Sequence, residues 1–171
     1  MNELQGLGTA LITPFKADKS VDYEALDRVL DTQIAGKVDY LVVLGTTGEA
    51  ATMTEKEREE VRTFIRKYVN GRLPLVLGVG GNCTAAVCES LRTMDLAGFE
   101  AILSVCPYYN KPNQEGLFQH FCAVAEASPI PVILYNVPGR TGVNLLPETV
   151  MHIWEAHPDK ILGIKEASGN I

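Results

Sequence analysis

Short runs of apolar, β-branched residues recur along the 171-residue chain. Their starts lie about 30 residues apart, which is the length of one βα unit. Each run is nearly continuous in apolar residues rather than alternating, which is typical of strands buried on both faces of a parallel sheet. The predicted strands are Leu7–Thr13, Asp39–Leu44, Leu75–Gly78, Ala101–Val105, Val132–Tyr135 and Ile161–Lys165.

Helix patterns with clear start signals separate these strands. Capping side chains or a first-turn proline mark each start, and they are Asp22, the Thr54–Glu57 capping box, Asn82 or Thr84, Asn113 and Pro147. We predict that the third helix ends at Gly98. The chain shows no linker or change of composition, so the pattern predicts one domain of six strands alternating with five helices.

Two α/β architectures use such an alternation, an open doubly wound sheet and a (β/α)8 barrel. A doubly wound nucleotide-binding fold would carry a glycine-rich turn after its first strand, but that strand runs into Thr13-Pro14-Phe15. Gly78-Val79-Gly80-Gly81 follows the third strand, yet Cys83 stands where G-x-G-x-x-G requires its third glycine. The pattern therefore favours the barrel.

Charge and composition narrow the function classes. The 15 basic and 21 acidic residues give a net charge of −6, which argues against a nucleic-acid partner. No apolar run approaches the roughly 18 residues of a membrane helix, and the first residues lack the pattern of a signal peptide. The four cysteines contain no C-x-x-C pair, and the three histidines lack ligand spacing. We expect a cytoplasmic protein with reduced thiols and no metal.

Polar residues gather where the predicted strands end, the place at which barrel enzymes hold their chemistry. Lys165 closes the last apolar run. In a dry barrel mouth, desolvation lowers the pKa of a lysine and frees its amine to attack a carbonyl carbon. The alternative, which the residue taken alone favours, is a lysine that marks the edge of a strand and extends to water.

Three hydroxyl residues, Tyr135, Tyr109 and Thr46, also follow strands. Each hydroxyl oxygen both donates and accepts a hydrogen bond, so a chain of them can pass a proton. Core-edge tyrosines with solvated hydroxyls are the simpler interpretation of the same residues.

Candidate anion-binding groups occupy two of the loops. Thr46 and Thr47, flanked by glycines, can offer N–H groups and hydroxyls to a carboxylate, although a tight turn needs the same glycines. Arg140 can bind a second carboxylate, or it is an ordinary surface arginine. Glu49 and Glu166 have no spacing that pairs them, so we interpret both as hydrogen-bonding residues at loop ends.

Five motifs are spread over the chain in order. They are Gly8-Thr9-Ala10 through Thr13-Pro14-Phe15, Gly45-Thr46-Thr47-Gly48-Glu49, Tyr108-Tyr109-Asn110-Lys111-Pro112, the segment Leu134 to Gly142, and Gly163 to Asn170. Together they resemble the dihydrodipicolinate synthase (4-hydroxy-tetrahydrodipicolinate synthase) family. The lysine motif and Gly-x-Thr-Gly-Glu also resemble the wider class I aldolase superfamily that includes N-acetylneuraminate lyase, whereas the Arg140 loop and the paired threonines resemble the synthase.

This resemblance implies a lyase that condenses pyruvate with L-aspartate 4-semialdehyde. Lys165 would form a Schiff base with pyruvate, and Tyr135 would deliver and remove protons there. The protein amine supplies the electrophile, so no metal or organic cofactor is implied. The product would be 4-hydroxy-tetrahydrodipicolinate, on the route to diaminopimelate and lysine.

The remaining roles are also implied by the resemblance. Thr46 would link Tyr135 to Tyr109, and Tyr109 would reach in from the neighbouring subunit of a tight dimer, part of a tetramer in the full-length form. Thr47, with Thr46, would hold the pyruvate carboxylate. Arg140 would bind the carboxylate of the semialdehyde.

Feedback inhibition by lysine is a property of many members of this family. Asn82 and Tyr108 match the inhibitor site of the feedback-sensitive members. Four other positions depart from its pattern of serine, histidine and glutamate, namely Ala50, Glu55, Arg58 and Ala86. We therefore expect weak or absent inhibition by lysine.

The family continues beyond the equivalent of residue 171, through two more strands and a helical C-terminal region. The resemblance therefore implies an α/β fold that holds only the first six strands and five helices of a (β/α)8 TIM barrel. Six strands cannot close an eight-stranded barrel, so we expect the chain alone to be poorly stable, prone to associate and weakly active. Two other hypotheses remain open: a pyruvate-dependent aldolase or lyase of keto-sugar acids, and a non-catalytic relative or fragment.

Overall fold

The structure, a computed structural model, describes residues 4–170. Residues 1–3, on which the expectation about a signal peptide partly rests, lie outside the described residues, as does residue 171. The chain forms two compact units. The first runs to Gly78 and includes Gly98–Glu100, and the second comprises Val79–Ala97 and everything from Ala101 onward.

Strands and helices alternate along the described chain. The strands are β1 (Gly8–Ala10), β2 (Tyr40–Val43), β3 (Leu75–Gly78), β4 (Ala101–Val105), β5 (Val132–Asn136) and β6 (Ile161–Glu166). The helices are α1 (Tyr23–Ala35), α2 (Glu55–Val69), α3 (Thr84–Thr93), α4 (Gln114–Ala127), α5 (Pro138–Thr141) and α6 (Pro147–Ala156). None of these helices combines the length and the apolar character that crossing a bilayer demands.

The first unit is a parallel three-stranded sheet with two helices. β1 pairs with β2 and β2 with β3, in the register Leu41↔Leu75 for the second pair. The two helices contact each other through aromatic rings, since Tyr23 and Phe64 lie 4.8 Å apart between centroids. The predicted caps of these two helices are confirmed: the Asp22 carboxylate accepts from the Ala25 N–H at 2.9 Å, and α2 begins with a complete capping box.

The second unit repeats this plan with β4, β5 and β6. All neighbouring strands pair in parallel, with Ile102 opposite Val132 and Val132 opposite Ile161. α3 packs on α4, α4 on α6, and α6 on β6. Its core consists of fully buried apolar side chains, among them Ile102, Phe121, Leu134 and Ile153. The alternation and the parallel pairing that the apolar runs predict are thus confirmed.

Three element predictions need correction. β1 spans three residues rather than seven, because the chain leaves the ladder beyond Leu11 and Thr13 donates its hydroxyl to the Gly48 carbonyl. α3 follows Cys83, which makes no capping hydrogen bond, and so lacks the predicted cap at Asn82 or Thr84. It ends at Thr93 and not at Gly98, because Met94 already has an extended backbone (ψ 148°). The short helix α5 has no counterpart among the predicted helices.

A buried histidine joins two helices of the second unit. His120 on α4 is 3 % exposed, and its Nδ1 lies 2.8 Å from the hydroxyl of Thr84 on α3. The other ring nitrogen, Nε2, is buried without a hydrogen-bond partner. Burial lowers the pKa of His120 from 6.5 to about 4, because an imidazolium would lose its hydration there.

Stability of the second unit should therefore fall on acidification. Because the folded pKa lies below the unfolded one, the unfolded chain takes up the proton first, and stability is lost as the pH falls from about 6.5 towards 4. Between pH 7 and pH 5 the loss due to His120 should be about 2 kcal/mol. Denaturant unfolding at both pH values would show it, and His120→Asn, which can keep the Thr84 bond, should lose less.

The exposed His152 on α6 provides the matched control. His152→Asn should leave the pH dependence of unfolding as it is in the parent. Equal losses in the parent and in His120→Asn would contradict the assignment to His120.

Candidate active site

Lys165 and Tyr135 meet at the ends of adjacent strands. They are register partners on β6 and β5, so their side chains leave the same face of the sheet. The Lys165 Nζ lies 4.6 Å from the centre of the Tyr135 ring. Tyr135 is 7 % exposed and Lys165 is half-buried. The amine therefore lies over the face of the Tyr135 ring and does not extend freely into water.

The next pair of residues, Asn136 and Glu166, occupies the opposite face. They are also register partners, and the Asn136 Nδ2 donates to the Glu166 Oε2 at 2.8 Å. The Ser168 N–H donates to the other carboxylate oxygen at 2.6 Å. These hydrogen bonds, that from Asn136 foremost, hold the pKa of the Glu166 carboxyl below its ordinary value. The predicted hydrogen-bonding role of Glu166 is confirmed.

Asn136 is a functional candidate that the sequence interpretation missed. Asn136 is only 1 % exposed, and both the nitrogen and the oxygen of its side-chain amide make hydrogen bonds. Besides Glu166, the Nδ2 donates to the Asn144 Oδ1 at 2.8 Å, and the Oδ1 accepts from the Leu145 N–H at 3.0 Å. A polar residue directly after Tyr135, at the end of a buried strand, was the available signal.

Arg140 lies on the loop of residues 137–146, which we call the Arg140 loop. The loop contains α5 and turns at Gly142, whose φ of +75° is the left-handed conformation that glycine favours. Thr141 is buried, and its hydroxyl donates to the Val143 carbonyl at 3.0 Å. Arg140 itself is exposed, so the loop is fixed while the guanidinium remains accessible.

The structure does not pack Tyr109 against the lysine pair. Tyr109 is 89 % exposed, and its backbone has a φ of +76°. Such a φ is uncommon outside glycine, asparagine and aspartate, and a bulky side chain seldom adopts it. The left-handed backbone at Tyr109 thus goes together with an exposed aromatic ring.

Thr46 and Thr47 belong to the first unit, where they open a short 3₁₀ turn, Thr46–Gly48. Both side chains are exposed, and the flanking Gly45 and Gly48 are buried. The preceding residue, Leu44, is buried with a φ of +54°. The turn is therefore built on a strained residue, as segments at functional sites often are. The predicted contacts of the two threonines with Tyr135 and with a carboxylate stay predictions.

Comparison with known proteins gives this arrangement a family. The model of the dihydrodipicolinate synthetase family matches residues 3–171. The chain belongs to the dihydrodipicolinate synthetase family. The 4-hydroxy-tetrahydrodipicolinate synthase of Flavobacterium psychrophilum is 58 % identical over the whole chain, and that of Parabacteroides distasonis is 56 % identical over 98 % of it.

A solved structure of a family member extends the likeness to the fold. The dihydrodipicolinate synthase from Acinetobacter baumannii, described as chloride inhibited and complexed with pyruvate, is 42 % identical over 98 % of this chain with a TM-score of 0.93. The predicted α/β fold, an incomplete TIM barrel of six parallel strands, is confirmed. The chain spans 58 % and 56 % of the two curated relatives and 57 % of the solved chain, little more than half of each.

A second nucleophile near the site can be set aside. Cys106 follows β4 in this family member and is fully buried. Burial raises the pKa of its thiol to about 12, so the thiol is neutral at physiological pH. In the part of the chain that the structure describes, no three His, Cys, Asp or Glu side chains form a cluster that could hold a metal ion.

The turn Thr46–Gly48, which we call the threonine turn, requires a glycine in the next strand. A Cβ on Gly78, the last residue of β3, would overlap the Leu44 carbonyl and lie 3.0 Å from the Gly45 Cα. Gly78→Ala should destabilise the protein by about 2 kcal/mol, because backbone atoms cannot yield as a flexible side chain does. Denaturant unfolding measures this loss.

Gly139→Ala is the control for that substitution. Gly139 has no heavy atom within 4 Å of an added Cβ, so its variant should be close to the parent in stability. If Gly78→Ala were as stable as Gly139→Ala, the close approach of β3 to the threonine turn would be refuted.

Proposed function

We propose that the native polypeptide containing this chain is a 4-hydroxy-tetrahydrodipicolinate synthase. It condenses pyruvate with L-aspartate 4-semialdehyde through a Schiff base on Lys165, without a metal or an organic cofactor, in the cytoplasmic route to diaminopimelate and lysine. The observation that carries the proposal is the Lys165 amine, half-buried at 4.6 Å from the Tyr135 ring. Family membership and the names of the relatives support it.

The chemistry begins with the amine of Lys165. Its Nζ attacks the keto carbon of pyruvate, and the resulting carbinolamine loses water to give an iminium ion. The iminium withdraws electrons, so a methyl proton leaves and an enamine forms. The enamine carbon then attacks the aldehyde carbon of the second substrate. Tyr135 carries protons to and from this centre, because its hydroxyl both donates and accepts.

Recognition of the substrates falls to the loops. Thr47, with Thr46, holds the pyruvate carboxylate, and Thr46 links Tyr135 to Tyr109. Arg140 binds the carboxylate of the semialdehyde, which its exposure and the fixed Arg140 loop support. A guanidinium matches a carboxylate with two parallel hydrogen bonds.

Assembly completes the proposal. Tyr109 reaches the site of a neighbouring subunit in a tight dimer, within a tetramer, which its 89 % exposure supports. The two units belong to one (β/α)8 barrel domain, of which this chain supplies six strands. The exposure of Leu162 (49 %) and Ile164 (38 %) on β6 supports a further neighbour along that strand.

Borohydride trapping tests the central step. With pyruvate and borohydride, the native polypeptide should gain a reduced pyruvyl group on the peptide that contains Lys165. Lys165→Ala should gain none, and Tyr135→Phe should trap about a hundredfold more slowly because it lacks the proton carrier. Lys56→Ala, which removes a solvent-exposed lysine, should trap like the parent. A folded parent that forms no adduct would refute the Schiff base.

Adding a second substrate then distinguishes a synthase from the alternative functions. Consumption of aspartate 4-semialdehyde by the pyruvate-loaded protein supports the synthase. Cleavage of a keto-sugar acid instead would favour the aldolase or lyase alternative, and adduct formation without turnover would favour a non-catalytic binding module.

Lysine should inhibit this protein weakly or not at all. The carboxylate of Glu55 is engaged by the Arg58 guanidinium at 2.6 Å, so two of the four departing positions pair with each other. Initial rates with and without millimolar lysine measure the effect, with arginine at the same concentration as the control for ionic strength. Halving of the rate by lysine alone would contradict the prediction.

A further inference from the structure

We infer that Asn136 is a positioning residue that fixes the strand end carrying Lys165 and the Arg140 loop to each other. The inference rests on the proposed function, because it concerns how that site is held in place. Its basis is one buried amide whose hydrogen bonds reach both segments.

The first group of bonds holds β6. The Asn136 Nδ2 donates to the Glu166 Oε2 at 2.8 Å. The backbone carbonyl of Asn136 accepts from the Ala167 N–H at 2.9 Å. Glu166 adjoins Lys165 in the chain, so fixing its side chain fixes the backbone on which the lysine stands. The Ser168 N–H closes the other side of the carboxylate.

The second group holds the Arg140 loop. The Asn136 Oδ1 accepts from the Leu145 N–H at 3.0 Å, and its Nδ2 donates to the Asn144 Oδ1 at 2.8 Å. These bonds hold the far end of the loop together with Gln114, whose Nε2 donates to the Asn144 backbone carbonyl at 2.8 Å. The near end continues directly from β5. Asn136 thus joins the near end of the loop through the backbone and contacts the far end through its side chain.

Register explains why this residue can serve both segments without obstructing the chemistry. Tyr135 faces Lys165 on one side of the sheet, and Asn136 faces Glu166 on the other. The amide therefore lies on the opposite face of the sheet from the amine. Catalytic groups held by such supporting bonds lose rate when the support loosens by even about 1 Å.

Changing the charges at positions 136 and 166 tests this positioning role separately from a loss of stability. Asn136→Asp places a second carboxylate against Glu166, and Glu166→Gln removes the only charge of the pair. The double variant Asn136→Asp/Glu166→Gln restores one negative charge and one hydrogen bond, with donor and acceptor exchanged. A double-mutant cycle then isolates the coupling of the two residues.

The experiment uses the native polypeptide and measures borohydride trapping of pyruvate against pH. Each single variant should trap about tenfold more slowly, and the double variant should recover to within about threefold of the parent. The pH midpoint of trapping should move upward in Asn136→Asp, downward in Glu166→Gln, and back in the double variant. A residue that only stabilises the fold would not shift that midpoint in two directions.

Steady-state kinetics separate the two halves of the role. Asn136→Ala removes the side-chain hydrogen bonds to both segments and keeps only the backbone bond to Ala167, so it should lower kcat and also raise KM for the semialdehyde. Glu166→Gln leaves the bonds to Leu145 and Asn144 in place, so it should lower kcat and leave that KM unchanged.

Ser128→Ala is the matched control for loss of a buried hydrogen bond. The Ser128 hydroxyl donates to the Ile130 carbonyl at 2.6 Å, before β5 begins and away from the strand ends that carry Tyr135 and Lys165, and its loss should change stability without moving the pH midpoint. If the parent forms the Lys165 adduct while both single variants match it in rate and midpoint, the inference is overturned and the proposed function stands. If a folded parent forms no adduct, both fall.

Discussion

The parallel register between β5 and β6 is the constraint on which the site depends. It sets Tyr135 opposite Lys165 and Asn136 opposite Glu166. Since successive side chains of a strand point to opposite faces, one pairing fixes two rows with different tasks. A shift of a single residue would exchange the rows, leaving a carboxylate and an amide where the amine and the phenol now stand. The placement of these four side chains is therefore set by strand pairing before any loop is considered.

The two rows also differ in how their polar groups are stabilised. Asn136 is almost fully buried, which is tolerable only because its amide hydrogen bonds are made. His120 shows the opposite case, with one ring nitrogen left without a partner and the neutral form favoured as a result. A buried polar group at the site is thus fixed by its bonds, whereas a buried polar group away from it limits the pH range of the fold.

Much of this could be predicted from the sequence, for identifiable reasons. Continuous apolar runs specify buried parallel strands, and Asp22 or Thr54 specify helix starts, because each signal is local. Lys165 and Tyr135 could be singled out because both end such runs. Asn136 could not be assigned a role in the same way, since its partners at Asn144 and Leu145 come into reach only when the intervening loop folds back. The left-handed backbone of Leu44 is equally invisible, because leucine carries no turn signal and Gly78, which lies 34 residues further on, makes room for it.

Sheet and loops divide the work of such a site. Lys165 stands on β6, so the position of its amine changes little unless the fold changes. Schiff-base formation requires a primary amine, a proton carrier and partial exclusion of water. Tyr109 and Arg140 stand on loops and are exposed. A fold hosts many functions through its loops. In the proposed function the strand ends therefore set the type of reaction, while the choice of the second substrate would depend on these two residues. In the proposed function, a substitution at Arg140 would therefore redirect the reaction, whereas one at Lys165 would abolish it.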